Sequence, residues 1–448
     1  GIGRQIRRKR PYIMKICGSL KIIGDKSLSH RVVILCSLAT GVSRIKNILL
    51  SGDTKATIQI FRQLGVEINE TNNNEVEIHG VGLRGLKQPN NSLDAVNSGT
   101  TARLLIGLLS KQNFSTELTG SSQLIKRPMK RVVKPLNEKG ADIKDSNGKL
   151  PINFEPKDYK FESIHSDKPS AQVKSGFLLA SLYHDEFPTT VTEELPTRDH
   201  TERMLNLMGV NTVRLGNSIT IEPVQSLRSM DYIVPGDPSS AAFLIALGLM
   251  KSKKLIIKDV LLNERRIGFL KILKRMNAKI SIENLEVKNN ESVGDIHVSK
   301  SNLSAIKVSK EDVSDMVDEF PIFTLLATQA KGITTVSGAG ELRLKESDRI
   351  ESMEKFIKTL DGEIEVNPDG FKVKGPQKLK SGQIKTFEDH RIAMTGVIAN
   401  LAINDGIKPD NINCISDSYP SFFSDLEKIG ANYDLSLIHI SEPTRHDQ

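Results

Sequence analysis

The sequence predicts an α/β protein of six similar units that are shared between two lobes. Three observations support this fold class. The chain has 448 residues, more than the ~100–150 residues of a usual single domain. A helix–turn–strand signature recurs six times, and a Gly-Asp-x-Ser motif occurs twice, 212 residues apart. Two lobes of this size would each bury a full hydrophobic core.

The composition is that of an ordinary globular protein. Hydrophobic residues make up 38% of the chain and charged residues 26%. The longest apolar runs, residues 241–250 and 392–403, are shorter than the roughly 18 residues that a membrane-spanning helix needs. The three cysteines form no CxxC motif, which predicts neither a disulfide framework nor a zinc site. We therefore expect no membrane span, no metal and a reducing cytoplasmic location.

The positive charge does not form a nucleic-acid-binding pattern. The net charge is +8, but five basic residues among the first ten contribute +5, and residues 435–448 contribute −1. Residues 14–434 therefore carry about +4, spread among acidic residues rather than gathered in a stripe. We expect residues 1–13 to be a non-native or untranslated basic extension, and residues 435–448 to be a non-native tail.

The six repeats are marked by a turn residue that closes a helix and precedes a strand. These turn residues are Gly65, Gly140, Gly209, Asn277, Gly362 and Gly430, separated by 75, 69, 68, 85 and 68 residues. Gly and Asn tolerate the left-handed conformation that ends many helices. Alternating apolar residues follow each turn, as in a strand. The near-regular spacing favours six units, although helix–Gly–strand sequences are common in any α/β protein.

The two Gly-Asp motifs predict where the chain passes from one lobe to the other. Each lies just before an apolar helical run, and a Ser after the turn can cap the helix. We expect one lobe to comprise residues 26–236 and the other to comprise residues 14–25 plus 237–434. The active cleft should lie between the two lobes.

The first Gly-Asp motif also predicts an anion site. Lys26 and Ser27 stand at a helix start, with Arg31 one turn further on the same face. A helix start offers free N–H groups and partial positive charge, which suit a phosphate or carboxylate. The spacing does not match a P-loop. A capped helix with surface Lys and Arg remains the plain alternative.

Four further helix starts in the same lobe carry small, polar or basic residues. They are centred on Gly99, on Arg127 before Pro128, on Ser170, Ala171 and Gln172, and on Arg198. Backbone can approach a ligand closely at Gly99, and we expect that glycine to leave open space beside it. Five such starts in one lobe exceed what helix capping requires, although each alone could be a solvated surface.

The other lobe supplies carboxylates among cations. Asp318 precedes an apolar run, and Lys345, Glu346 and Arg349 form a charged segment in which Lys345 and Arg349 are predicted to share one helix face. Arg391 begins a further helix. A carboxylate among cations can act as an acid or base, whereas exposed salt bridges are the plain alternative.

Seven motifs, taken together and in order, resemble the 5-enolpyruvylshikimate-3-phosphate synthases. They are Gly-Asp-Lys-Ser-x-x-x-Arg (24–31), Asn-Ser-Gly-Thr (97–100), Arg-Pro-Met-x-Arg (127–131), Ser-Ala-Gln-Val-Lys-Ser (170–175), Arg-Asp-His-Thr-Glu-Arg-Met (198–204), Leu-Lys-Glu-Ser-Asp-Arg (344–349) and Asp-His-Arg-Ile (389–392). The third and fourth look like the second, often glyphosate-tolerant bacterial class. The resemblance implies two lobes, each of three βαβαββ repeats around a pseudo-threefold axis, joined by a double-crossover hinge.

The resemblance also implies the reaction and the partners. Members of the family transfer the enolpyruvyl group of phosphoenolpyruvate to the 5-hydroxyl of shikimate 3-phosphate and release phosphate, in the shikimate pathway to chorismate and the aromatic amino acids. No metal or organic cofactor is implied. The partners would be these two small molecules and the inhibitor glyphosate, with no nucleic acid or membrane, and the chain would be a monomer.

The resemblance assigns roles to individual residues of this chain. It implies that shikimate 3-phosphate is bound by Ser27, Arg31, Ser170, Ala171, Arg198, Asp318 and Lys345. It implies that phosphoenolpyruvate is bound by Lys26, Gly99, Arg127, Gln172, Arg349 and Arg391. The chemistry needs an acid for the methylene carbon and a base for the hydroxyl. We assign these roles to Glu346 and Asp318, with Lys26 beside both.

Two positions depart from the family pattern. Asp417 stands where many members carry Lys, and Glu341 stands where an Asn often occurs.

Two other functions share features with this sequence. The sister enzyme that acts on UDP-N-acetylglucosamine usually has a Cys before its Arg-Pro, and residues 119–127 contain none. A DNA clamp also repeats α/β units, but it would not need Asp318, Glu346 and five charged helix starts.

Overall fold

The structure is a computed structural model that describes residues 14–435. The predicted terminal extensions lie outside the described residues, except for Leu435. The strands are β1 Ile16–Lys21, β2 Ala39–Lys46, β3 Glu67–Glu70, β4 Val76–Val81, β5 Leu93–Asp94, β6 Thr116–Thr119, β7 Ile143–Lys144, β8 Ile152–Phe154, β9 Ser163–Ser166, β10 Thr189–Glu193, β11 Thr212–Leu215, β12 Ser218–Ile221, β13 Leu227–Arg228, β14 Asp231–Ile233, β15 Ser252–Leu261, β16 Lys279–Lys288, β17 Glu291–Ser299, β18 Lys307–Val308, β19 Gly332–Val336, β20 Glu365–Asn367, β21 Gly370–Gly375, β22 Gly382–Ile384 and β23 Ile407–Pro409.

The helices alternate with these strands along the chain. They are α1 Lys26–Ser37, α2 Gly52–Gln63, α3 Gly99–Leu109, α4 Lys130–Glu138, α5 Ala171–Ser181, α6 His200–Leu207, α7 Pro238–Lys251, α8 Gly268–Arg275, α9 Lys310–Val313, α10 Phe320–Ala327, α11 Arg349–Thr359, α12 His390–Ala402 and α13 Phe422–Lys428. Short 3₁₀ helices lie at Leu124–Lys126, Val317–Glu319, Gly340–Leu344 and Asn413–Asp417. None of the helices in residues 14–435 has the length and apolar composition of a membrane span.

The sheets repeat one plan. In β5-β6-β8-β7 the first pair is parallel, and the second strand pairs antiparallel with a hairpin. The same plan appears in β9-β10-β12-β11, in β1-β15-β17-β16 and in β18-β19-β21-β20. It also appears in the sheet of β2, β3 and β4, where β13 and β14 supply the parallel partner. The sixth sheet is only the parallel pair β22-β23 within the described residues.

Two separate hydrophobic cores divide the molecule into two lobes. One core is formed by buried residues between 28 and 234, together with Leu261. The other contains Ile16, Leu20 and Ile22 with buried residues from 241 to 431. We call the lobes around them the N-lobe and the C-lobe.

The chain crosses between the lobes at two adjacent points. Gly24 and Gly236 form an antiparallel bridge. The backbone N–H of Asp25 donates to Pro235 O at 2.8 Å, and that of Asp237 donates to Ile23 O at 2.8 Å. These crossings are the two Gly-Asp motifs. The predicted α/β class, with two lobes and a double crossing, is therefore what the structure shows.

Five of the six predicted turn residues close their helices in the left-handed conformation. Gly65, Gly140, Gly209, Asn277 and Gly430 all have positive φ. The fifth turn is different, because Asp361 has the positive φ of 56° instead of Gly362. The reason is that α11 ends at Thr359, so its closing turn falls one residue before the glycine. No strand follows Gly430 in the described part of the chain.

Candidate active site

A cleft between the lobes gathers most of the predicted site residues. It contains a cavity of about 420 Å³, lined from both lobes. Seven predicted residues line this cavity: Arg127, Ser170, Ala171, Gln172, Arg198, Asp318 and Lys345. A second cavity of about 390 Å³ shares Arg127 and Lys345 with it and also exposes Glu346. The remaining predicted residues, Lys26, Ser27, Arg31, Gly99, Arg349 and Arg391, lie outside the lining of both cavities.

Capped helix starts position several of the predicted binding residues. Ser98, Ser170, Asp348 and Asp389 each accept a backbone N–H from the first turn of α3, α5, α11 or α12. Such caps satisfy free N–H groups and fix the first turn. They hold the residues that follow, which include Gly99, Gln172, Arg349 and Arg391, at the ends of their helices.

Asp318 is an ionised carboxylate held between cations of both lobes. Its Oδ2 lies 2.9 Å from Nη2 of Arg198, and its Oδ1 lies 3.7 Å from Nη1 of Arg349. Burial alone would raise the pKa of Asp318, but Arg198, Arg391, Lys345 and Arg349 together hold it well below its ordinary value. The carboxylate is therefore charged at neutral pH.

Glu346 occupies a similar environment. Its Oε2 lies 2.8 Å from Nη2 of Arg349, and its Oε1 lies 3.9 Å from Nη1 of Arg127. Burial opposes ionisation, yet these cations and Lys26 hold the pKa of Glu346 well below its usual range. Burial has the opposite effect on its neighbour and lowers the pKa of the Lys345 ammonium to about 8, with Asp318 opposing the shift.

The prediction that Lys345 and Arg349 share one helix face is wrong. Asp348 caps α11 through the backbone N–H of Glu351, so the helix begins only at Arg349. Lys345 instead has extended backbone directly after the 3₁₀ helix Gly340–Leu344. Both cations nevertheless lower the pKa of Asp318.

Lys26 and Arg31 extend the site behind the main cavity. Lys26 Nζ lies 3.3 Å from Asp53 Oδ2, and its backbone N–H donates to Asp237 of the C-lobe. Arg31 is buried and donates to the Ser27 carbonyl at 2.9 Å and to Thr201 and Ser175. Burial, with Arg198 nearby, lowers the pKa of Arg31 to about 10.

Sequence reasoning missed the carboxylate partner of Lys26. Asp53 follows Gly52 just as Asp25 follows Gly24. This third Gly-Asp pair at a helix start was the signal that could have revealed it.

The predicted open space at Gly99 is wrong, because it is filled by arginine side chains. A Cβ at this position would lie 2.6 Å from Nη1 of Arg127 and 2.8 Å from Nη1 of Arg103. Arg103 lines the cavity and donates to Gln172 Oε1 at 2.7 Å, and burial lowers its pKa to about 9. It was missed as a site residue, although it lies four residues after Gly99 on the same helix face.

Several buried arginine side chains of the predicted site have N–H groups that make no hydrogen bond to a described residue. In the described part of the chain, Nε of Arg127, Nε of Arg198, and both Nε and Nη1 of Arg391 have no hydrogen-bond partner. A buried polar group without a partner costs about 1–3 kcal/mol, and more when it is charged. The arrangement is therefore suited to receive anions.

A cluster with metal-ligand chemistry lies apart from these cations. The ligand atoms of Asp199, His200 and Glu291 lie within 4.8 Å of one another. Asn263 donates to Asp199 at 2.7 Å and to Glu291 at 2.9 Å, and His200 Nδ1 lies 2.8 Å from Glu291. The cluster thus joins the two lobes through its own hydrogen bonds.

Comparisons with known proteins agree with this geometry. The family model for EPSP synthase (3-phosphoshikimate 1-carboxyvinyltransferase) matches residues 12–426. A 3-phosphoshikimate 1-carboxyvinyltransferase of Sulfurihydrogenibium is 44% identical over 93% of this chain and 98% of its own length. Its counterpart in Bacillus subtilis is 40% identical, with coverage of 94% and 99%.

Two solved structures are similar to this chain over nearly its whole length. The EPSP synthase of Acinetobacter baumannii has a TM-score of 0.83 and 37% identity, covering 94% of this chain and 97% of that one. The enolpyruvyl transferase NikO of Streptomyces tendae, at 17% identity and a TM-score of 0.74, shares the fold. The predicted family is confirmed, and the UDP-N-acetylglucosamine alternative is not favoured. With a matching family model across nearly the whole chain, relatives above 40% identity and a cleft lined with the motif residues, this chain belongs to the EPSP synthase family.

Proposed function

We propose that the cleft between the lobes transfers the enolpyruvyl group of phosphoenolpyruvate to the 5-hydroxyl of shikimate 3-phosphate and releases phosphate. The observation that carries this proposal is the set of buried arginine N–H groups without partners beside two ionised carboxylates. Two anionic substrates would satisfy the cations. The carboxylates would then handle the protons that the transfer requires.

Shikimate 3-phosphate is assigned to the part of the cleft where the lobes face each other. Ser170, Ala171 and Arg198 line the cavity from the N-lobe, and Asp318 and Lys345 line it from the C-lobe. Their position supports phosphate binding by the Ser, Arg and Lys groups, with Asp318 on the substrate hydroxyls. Ser27 and Arg31 belong to the same proposed set, and Nη1 of Arg31 donates a hydrogen bond to the Ser27 carbonyl.

Phosphoenolpyruvate is assigned to the adjoining cations. Arg127 lies against Gly99, Arg349 lies against Glu346, and Gln172 accepts from Arg103. Arg391 adds two nitrogen atoms without partners, and Lys26 supplies an ammonium beside Glu346. Charge-assisted bonds to a phosphate and a carboxylate are among the strongest that such groups make.

The proton transfers follow from these placements. The 5-hydroxyl oxygen adds to C2 of phosphoenolpyruvate, Asp318 takes the hydroxyl proton, and Glu346 gives a proton to C3. The resulting tetrahedral ketal loses phosphate from C2 while a proton from C3 returns to Glu346, and the departing phosphate takes up the proton held by Asp318, which restores both carboxylates. Arg349 and Arg127 hold the pKa of Glu346 low. When these cations turn to the substrate anions, the pKa of Glu346 rises and the acid form becomes available.

The proposal also covers the inhibitor, the oligomeric state and the cellular location of the protein. Glyphosate would compete with phosphoenolpyruvate for the Arg127 and Arg349 cations. The chain would act as a monomer in the cytoplasm, without nucleic acid, membrane or cofactor.

A phosphate-release assay tests the proposal. Phosphate should appear only when both substrates are present. Glu346→Gln should bind both substrates yet release phosphate at least ~100-fold more slowly, because Gln cannot exchange the C3 proton. Glu427→Gln, an exposed position on α13, is the matched control and should retain the full rate. Absence of release from the parent protein with both substrates would overturn the assignment.

A further inference from the structure

A small acidic pocket lies beside the proposed phosphoenolpyruvate site. Asp53, Glu346, Glu388 and Asp417 contribute carboxylates to its wall, which Arg127 also lines. Asp53 comes from the N-lobe, whereas Asp417 ends the 3₁₀ helix Asn413–Asp417 of the C-lobe. The pocket therefore forms only where the two lobes meet.

Asp417 differs from the other three carboxylates because its side chain has neither a hydrogen-bond partner nor an ion-pair partner among the described residues. Asp53 pairs with Lys26, Glu346 pairs with Arg349, and Glu388 accepts from Gln123. No donor among the described residues reaches the Asp417 carboxylate. A Cβ at Gly52 would lie 3.3 Å from Asp417 Oδ1, so this oxygen lies against the first turn of α2.

The groups around Asp417 determine when it is charged. The titratable groups that face it are Lys26, Asp53, Arg127, Glu346, Glu388, His390 and Cys414. Burial raises the pKa of the Cys414 thiol to about 12, so this group stays neutral over the range of interest. Burial and the neighbouring Asp53 raise the pKa of Asp417 to about 6, with Lys26 opposing the shift. Burial holds the pKa of His390 well below its usual value, so His390 stays neutral between pH 6 and 8 and does not titrate with Asp417.

We propose that Asp417 is a specificity-determining residue, whose ionised carboxylate weakens the binding of the dianionic phosphate group of phosphoenolpyruvate and whose neutral form relieves this repulsion. The inference rests on the proposed function, which assigns that substrate to Lys26 and Arg127. Arg127 lines the pocket together with Asp417, and Lys26, which pairs with Asp53 of the pocket wall, is near enough to oppose the rise in the pKa of Asp417. Part of their charge is therefore offset by a carboxylate that has no partner of its own.

The size of the effect follows from electrostatics. Two like charges about 4 Å apart in bulk water repel by an energy that corresponds to about a fivefold change in affinity, which we take as the scale of the effect. The change should be confined to phosphoenolpyruvate and phosphate, because shikimate 3-phosphate is assigned to the main cavity, whose lining does not include Asp417.

The test compares the pH dependence of the parent with that of Asp417→Asn between pH 5.5 and 8. The KM for phosphoenolpyruvate and the inhibition constant of inorganic phosphate should both be about fivefold lower in the variant at pH 8. They should converge with the parent values near pH 5.5. The substrate phosphate titrates in both proteins, so the difference between them isolates Asp417. Glu427→Gln removes one exposed charge from the same lobe and should follow the parent curve.

The outcomes separate this inference from the proposed function. Parallel pH curves for the parent and Asp417→Asn, with an active parent, would overturn the role of Asp417 alone. A parent that releases no phosphate would overturn the proposed function itself. An equal change in the KM for shikimate 3-phosphate would show a general disturbance of the cleft and would also contradict the inference. If Asp417→Asn does not fold, Asp417→Ser removes the same charge from a smaller side chain and is judged by the same curves.

Discussion

At the scale of single residues, the cleft neutralises its own charges. Arg198 pairs with Asp318, and Arg349 pairs with both Asp318 and Glu346. At Arg198 and Arg349 a substrate anion must therefore compete with these carboxylates, whereas Arg391 offers two nitrogen atoms that have no partner among the described residues. Such competition lets binding and proton transfer be coupled, because a carboxylate that loses its cation becomes a better proton acceptor.

Lys345 should make shikimate 3-phosphate binding depend on pH. Burial lowers its pKa to about 8, so the ammonium is present below that pH and is lost as the pH rises through it. We expect the KM for shikimate 3-phosphate to rise between pH 7.5 and 9.5. Lys345→Arg keeps its charge over this range and should flatten the profile. An unchanged slope in the Arg variant would exclude Lys345 as the source.

Gly99→Ala should act through Arg127. The added methyl would lie 2.6 Å from Nη1 of Arg127, and that side chain must move to relieve the overlap. We expect the KM for phosphoenolpyruvate to rise severalfold and the inhibition constant of glyphosate, the longer ligand, to rise more. The KM for shikimate 3-phosphate should not change. Equal glyphosate inhibition in parent and variant would show that Gly99 does not adjoin the pocket.

At the scale of elements, helix starts were predictable because their signals are local. Ser170, Asp348 and Asp389 are capping residues next in sequence to the side chains that they orient. The same local signal went unrecognised at Asp348, and this led to the wrong helix face for Lys345. The filling of the space at Gly99 was beyond the sequence, because it depends on where a loop before α4 places Arg127.

Contacts between elements that are distant in sequence could not be predicted either, because they depend on how the folded elements are placed in space. Arg131 of α4 pairs with Glu341 of the C-lobe at 2.7 Å, across 210 residues of sequence. The sequence marked Glu341 only as a departure from the family pattern. Its partner follows from how the lobes face each other, which no periodicity encodes.

Lys174 should stabilise the junction of α5, β10 and α6. Its side chain is fully buried, and its Nζ lies 3.4 Å from Glu193 and 3.1 Å from Glu202. Lys174→Met would leave both glutamates buried, with Arg214 as their one remaining cationic partner among residues 14–435. We expect a loss of about 3–5 kcal/mol in the free energy of unfolding, measured by urea denaturation.

A matched control for this variant is Lys134→Met on the exposed face of α4. It removes the same charge and should change the free energy of unfolding by less than about 0.5 kcal/mol. Similar losses in the two variants would show that the buried ion cluster contributes no special stability.

At the scale of the whole molecule, two lobes with separate hydrophobic cores are joined where the chain crosses twice between them. We propose that the lobes comprise residues 26–236 and residues 14–25 plus 237–434, a division that the two cores support. Arg266 ties the crossings together, since its Nη2 lies 2.7 Å from Asp25 and 3.6 Å from Asp237. Arg266 thus anchors the two crossings to each other.

Binding of shikimate 3-phosphate should bring the lobes closer together. Burial lowers the pKa of Lys345, and Arg127 of the N-lobe adds to this shift, so the Lys345 charge is costly to bury in the cleft. A phosphate placed between Ser170 and Lys345, which line one cavity from opposite lobes, would replace that cost with charge-assisted bonds of roughly 1.5–3 kcal/mol each. Small-angle scattering should therefore show a smaller radius of gyration at saturating shikimate 3-phosphate. Lys345→Met would remove the proposed phosphate contact of the C-lobe and should reduce this compaction at the same ligand concentration. A radius of gyration that stays constant at saturation in the parent would contradict closure of the lobes on this substrate.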